Sequence, residues 1–162
     1  MKSEKLIMSM MEYYAGDPKR IQHFIKVHSL ARVIGLGEHL AAEAMEIIET
    51  AAIVHDIGIK LSEELYGDSI GKHQEELGPG AAETMLRRMG CSDELVHRVS
   101  YLVGHHHTYT DIDGIDYRIL VEADFLVNIY EDGLSKEAAR AAYENIFRTE
   151  TGRKLFRDMY PL

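Results

Sequence analysis

A chain of 162 residues is of single-domain length, and residues 1–162 read as one domain with its motif-bearing part at about 20–130. Its 27 acidic and 18 basic residues give a formal net charge of -9, which argues against binding duplex nucleic acid and requires a local positive centre for any phosphate-bearing substrate. The lone Cys91 excludes an internal disulfide and fits a reducing cytoplasm, and no apolar run is long enough to cross a membrane.

Apolar residues recur at close to the helical period almost throughout, and sustained β-branched alternation is absent, so the fold class is all-α. Residues 2–14 read as a first amphipathic helix. Asp17-Pro18, a cap followed by a first-turn proline, starts a second that runs to about Ile34, where Gly35 and Gly37 loosen it. Phe24, Val27, Ala31 and Ile34 form its apolar stripe, with His23 and His28 on opposite edges. A helix over about 41–57 puts Met45, Ile48, Ala52 and His55 on one face, and Gly58 reads as its left-handed terminus. Residues 62–80 read as a polar loop and 81–89 as a short helix. Cys91-Ser92-Asp93 starts the next helix, which carries Leu95, Val99, Leu102 and Val103 up to His105-His106-His107. A turn at 108–113 leads into a helix over 115–130, then shorter ones at about 135–147 and 152–159. In the last of these Leu155, Phe156 and Met159 are spaced to pack one face, on the core or on a second subunit, which leaves a homodimer open.

The chemistry concentrates on His55-Asp56, a metal-ligand type followed at once by a carboxylate at the end of an apolar run. A buried carboxylate either raises its pKa or finds a partner, and a divalent cation is the strongest partner available. By itself the pair also reads as a helix end with a capping histidine and a solvated acid. Asp124, inside the apolar stretch Val121–Val127, reads either as an inward ligand or as an exposed acid. Separate helices thus bring His23 or His28, His55 with Asp56, His105 to His107, and Asp124: the N/O donors that Fe, Mn, Zn, Ni or Co accept. Asp111-Ile112-Asp113-Gly114, with Glu122 further on, mimics a calcium loop. Ile115 and Asp116 stand where an oxygen donor and a glycine are needed, so a turn before a helix explains it better.

The order H…HD…D over about 20–130 resembles the HD-domain superfamily of metal-dependent phosphohydrolases, in its HDIG form at His55-Asp56-Ile57-Gly58. Arg20, His23, Val27 and Ala31 fit the frame of its first motif, Leu102-Val103-Gly104-His105-His106 its late helix, and Ala123-Asp124 its closing aspartate. The resemblance implies an HD-like helical bundle with a metal site between the central helices. Its ligands would be His23, not His28, with His55, Asp56 and Asp124. A second ion would use His105, the foremost of the extra ligands, His106 and His73, with Asp56 bridging. His73 on residues alone reads as an exposed loop histidine. Asp56 and Lys60 would take catalytic roles, and Arg20 and Lys60 would contact substrate. Lys60 departs by one residue from the family spacing and also reads as a plain exposed lysine. The implied activity is hydrolysis of a nucleotide or other small phosphate ester by metal-activated water in the cytoplasm. A di-iron oxygenase of the same fold and a non-catalytic metal- or ligand-sensing module are the alternatives.

Overall fold

Four of the helix starts are set by short polar side chains. Asp17 accepts from the Arg20 amide ahead of Pro18, and Ser92, Ser135 and Thr149 accept from the amides of Leu95, Ala138 and Gly152. The computed structural model describes residues 3–161 and is helical, with no strand among them. The order is α1 (Ser3–Tyr13), α2 (Pro18–Gly37), α3 (Ala42–Val54), α4 (Gly58–Tyr66), α5 (Gly71–Arg88), α6 (Asp93–Val103), α7 (Ile115–Glu131), α8 (Lys136–Asn145) and α9 (Glu150–Met159). Helices α2, α3 and α7 pack on one another, α6 closes on α3, and α4 and α5 form a pair attached through α6. Phe24, Val27, Ile48, Ala52, Leu102, Val103, Leu120 and Ala123 are buried where these central helices meet. Among the described residues no helix is long and apolar enough to cross a membrane.

The expected polar loop over 62–80 is instead α4 and the first half of α5. The buried stripe of α5 is Gln74, Gly78, Ala82 and Leu86, spaced at four residues. A glutamine and a glycine in that stripe hide the helical period from a hydrophobicity reading. Helix α5 also carries Pro79 inside it, packed where a side chain on Gly104 would otherwise sit.

Gly58 is not a left-handed terminus, since it starts α4. A Cβ there would lie 2.7 Å from the Gln74 carbonyl oxygen and 2.9 Å from the Gly78 nitrogen, so the glycine lets two helix backbones touch. Gly58→Ala gains at most about 1 kcal/mol of helix propensity. Overpacking against backbone, which cannot yield as a side chain does, costs about 1–3 kcal/mol. A net loss of stability is therefore expected by denaturant unfolding, and a variant as stable as the parent would contradict the reading.

Two other boundaries differ. Helix α2 continues through Gly35, because Ile48 and Met45 occupy the space of its missing side chain, and α3 stops at Val54. At the C-terminus α9 packs on α2 and α7, burying Phe156 while Met159 stays 44% exposed. The buried Glu122 accepts from the amides of Arg148 and Thr149 and from the Thr149 hydroxyl, which fixes the approach to α9. Arg98 clamps both Asp113 and Asp116, so the calcium-loop mimic is a turn held by a guanidinium.

Candidate metal centre

His55, Asp56 and Ile57 form the tight turn between α3 and α4, closed by the Ile57 amide on the Val54 carbonyl at 2.9 Å. This turn sends the His55 ring into the core, fully buried, while the Asp56 carboxylate keeps 16% exposure. The His55 Nδ1 lies 2.8 Å from the Ala52 carbonyl oxygen, a contact that only an N–H can make. Nδ1 thus carries the proton and Nε2 presents its lone pair inward. His106 repeats the device, its Nδ1 2.8 Å from the Val103 carbonyl, and His23 uses its Nδ1 on Glu131 at 3.1 Å. Such anchoring fixes the tautomer and aim of a metal-ligating histidine.

The inward atoms converge. His23 Nε2 is 3.2 Å from His55 Nε2, 3.3 Å from Asp56 Oδ2 and 3.2 Å from Asp124 Oδ1. His55 Nε2 is 3.4 Å from Asp56 Oδ2 and 3.5 Å from Asp124 Oδ1. The other Asp56 oxygen, Oδ1, faces His106 Nε2 at 3.4 Å, and that nitrogen is buried without a hydrogen-bond partner. Lone pairs therefore face lone pairs, which holds only with a proton or a cation between them. His107 gives its Nε2–H to Gln74 at 2.9 Å, leaving Nδ1 free. Two groups thus have donor atoms within 4.8 Å of one another, His23-His55-Asp56 and Asp56-His106-His107, and Asp56 belongs to both. This set of imidazole nitrogens and carboxylate oxygens fits a divalent transition metal.

The electrostatics agree with that fit. Burial opposes charge on His55, yet Asp56 and Asp124 hold its pKa well above the usual histidine value. Burial likewise opposes charge on His23, and the Asp124 hydrogen bond together with the Asp56 and Asp124 charges outweighs it. Asp56 and Asp124 resist burial in turn and are held well below the carboxylate range by the histidines. His107 is pushed down to about 4, by burial first and then by His106.

These directions set a pH dependence for the metal-free protein. Raised His23 and His55 stabilise it fully below the unfolded value of 6.5, a contribution lost as pH rises through their folded values. Lowered Asp56 and Asp124 stabilise it above the unfolded value of 3.8, and that contribution is lost as pH falls through theirs. Metal must displace the protons, so its stabilisation grows with pH. Thermal melts across about pH 7 to 9, above the range in which the lowered His107 adds stability with rising pH, are expected to show the metal-free Tm falling towards alkaline pH while the gain from added Mn²⁺ rises. A metal-free Tm that climbs with pH, and a gain from Mn²⁺ that stays constant, would contradict this.

Of the expected site residues, His23, His55, Asp56, Asp124 and His106 are brought together. His105 is not. Its Nδ1 binds the Tyr101 carbonyl at 2.7 Å and its ring stacks on Tyr101 at 4.0 Å. In the turn after α6 successive side chains diverge, so His106 and His107 point inward and His105 outward. His73 also lies outside, bound to Asp68 at 2.8 Å and stacked on Tyr66, because its neighbour Gln74 takes the inward face of α5. Lys60 reaches the Tyr13 carbonyl at 3.2 Å, lies over the Tyr13 ring and is not among the residues that line the cavity at the cluster. His28 sits on Glu49 at 3.0 Å.

Gln74, Asn128 and Glu131 were not anticipated, and His107 stood in the expected histidine cluster but not among the named ligands. Asn128 donates to Asp124 at 2.9 Å, and Glu131 holds His23 while pairing with Lys26. The signal for both was their place four and seven residues after Asp124, on one helix face.

A cavity of about 240 Å³ opens onto the cluster, with Lys19 and Arg20 on its lining beside His23, Asp56, His107 and Asp124. Arg20 is itself paired with Asp17 and Glu63. A larger groove of about 810 Å³ between α1, α4 and α5 is lined by no histidine or aspartate and does not reach the cluster.

The family model for the HD domain matches residues 20–147. In three dimensions the chain is similar to a crystal structure of a predicted HD superfamily hydrolase from an uncultured Thermotogales bacterium. The TM-score is 0.69 and the identity 28%, over 97% of this chain and 84% of that one. No curated protein matches the chain.

Proposed function

This chain belongs to the HD-domain family, and we propose that it is a metal-dependent hydrolase of a nucleotide or other small phosphate ester. The carrying observation is Asp56, whose oxygens face different ligand groups, Oδ2 toward His23 and His55 and Oδ1 toward His106. We read this as a site for two divalent ions, one among His23, His55, Asp56 and Asp124, the other among Asp56, His106 and His107. When bound, such ions lower the pKa of a water and polarise a phosphoryl oxygen. The similarity to a predicted HD superfamily hydrolase supports the hydrolytic class.

The chain's own residues supply the rest. Glu131, Ala52 and Val103 hold the His23, His55 and His106 rings by Nδ1, so no reorganisation is needed when a ligand arrives. Lys19 and Arg20 share the cavity lining with Asp56, Asp124, Glu131 and Asp132, so bound cations would have to supply the positive centre that an anionic substrate needs.

The test is a panel of phosphate monoesters, diesters and nucleotides with metal-free protein reloaded with Mn²⁺, Fe²⁺, Co²⁺, Ni²⁺ or Zn²⁺. Release of phosphate or of the alcohol is expected only with metal, abolished by chelation and restored by reloading. Oxygen-dependent turnover with iron and no hydrolysis would establish an oxygenase instead. Tight ligand binding without turnover across the panel would establish a sensing module.

A further inference from the structure

We propose that Tyr14, at the end of α1, is a positioning residue that aims the Asp56 carboxylate, with Tyr13 as its partner on the next peptide. The inference rests on the reading of Asp56 as a shared metal ligand. Helix α1 lies outside residues 20–147, the part that matches the HD domain. It is nevertheless seated firmly, with Leu6 and Met10 fully buried and Tyr14 only 4% exposed. The Tyr14 hydroxyl donates to the Asp56 carbonyl at 2.7 Å, and the Tyr13 hydroxyl donates to the Ile57 carbonyl at 3.1 Å. Consecutive tyrosines therefore grip consecutive carbonyls of the turn that carries the ligand. Lys60 ties back to the Tyr13 carbonyl, and the Arg20 guanidinium lies 6.0 Å from the Tyr14 ring, so α1 also braces a cavity-lining residue.

The mechanical consequence follows from the geometry of the turn. The Asp56 carbonyl already accepts from the Ile59 amide at 3.0 Å, within the α3–α4 connection itself. That bond alone leaves the peptide able to rock about the chain axis. A second donor, arriving from another helix, fixes the peptide plane and with it the direction of the Asp56 side chain. A carboxylate shared between two groups tolerates little error, since sites of this kind need their atoms within about 0.5 Å and 10–20°. Tyr14 contacts neither the cavity nor the ligand atoms, and its effect passes through the Asp56 backbone.

The experiment compares Tyr14→Phe, Tyr13→Phe, Asp56→Asn and Phe156→Leu with the parent protein. Metal-free protein is titrated with Co²⁺, reading the dissociation constant and the visible absorption of the bound ion, alongside Tm, kcat and KM. For Tyr14→Phe, Co²⁺ affinity is expected to fall roughly 10-fold, the lower end for lost supporting contacts of a metal ligand. The absorption bands shift and kcat falls while KM holds. Tyr13→Phe cuts the longer bond and is expected to move the same readouts less, and it carries the test if Tyr14→Phe does not fold. Phe156→Leu, on α9, lowers Tm without moving the spectrum, which separates positioning from plain destabilisation. If both tyrosine variants bind Co²⁺ with the parent's affinity and spectrum while Asp56→Asn loses it, the positioning role is wrong and the metal reading stands. If Asp56→Asn binds Co²⁺ like the parent, the metal reading fails and the positioning role with it.

Discussion

Asp56→Asn is expected to abolish hydrolysis and strip metal from the protein with little change of shape. The substitution keeps the volume but exchanges an anionic oxygen for an amide N–H₂, which cannot ligate. It also leaves one neutral oxygen for two tasks. In the parent, Oδ2 faces His23 and His55 while Oδ1 faces His106, so no rotamer of asparagine serves both. The loss of activity should be at least on the order of 10²–10³-fold, the scale for removing one group that stabilises transition-state charge. Elemental analysis and an assay of phosphate release check it. A variant that retains metal and turnover would show that Asp56 is not the shared ligand.

The second large effect is a contrast between neighbours. His106→Ala is expected to bring the metal content from two towards one and to cut hydrolysis by about 10²-fold or more. His105→Ala should leave both near the parent's values. The residues are adjacent, but His106 is 1% exposed with its Nε2 aimed at Asp56, whereas His105 is spent on Tyr101. His107→Ala should resemble His106→Ala, since His107 belongs to the same group. Equal losses from His105→Ala and His106→Ala would mean that the turn after α6 is arranged differently.

That contrast also marks where the sequence stops being legible. His55 and Asp56 could be picked out because they are ligand types at the end of an apolar helical run, where burial without a partner is costly, whereas Asp124 also read as an exposed acid and only the family frame of Arg20, Val27 and Ala31 chose His23 over His28. The direction of a side chain in 104–107 has no such local signal. Helix α6 has ended at Val103, and the path of the turn depends on Gly104 meeting Pro79 of α5. Helix α5 was itself hidden, because Gln74 and Gly78 occupy its buried stripe and its partner at Gly58 is a glycine too. His73 was misplaced for the same reason, since a residue read in a loop has no assigned face. Glu131, which holds the far nitrogen of His23, is 108 residues away along the chain, and only the α2–α7 packing joins them.

The most direct measurement is anomalous diffraction from crystals of the Mn²⁺-loaded protein. Two peaks are expected, one within bonding distance of His23, His55, Asp56 and Asp124, the other of Asp56, His106 and His107, with Asp56 touching both. A single peak that leaves His106 and His107 unligated, or a peak at His73 or His105, would contradict the shared-carboxylate site.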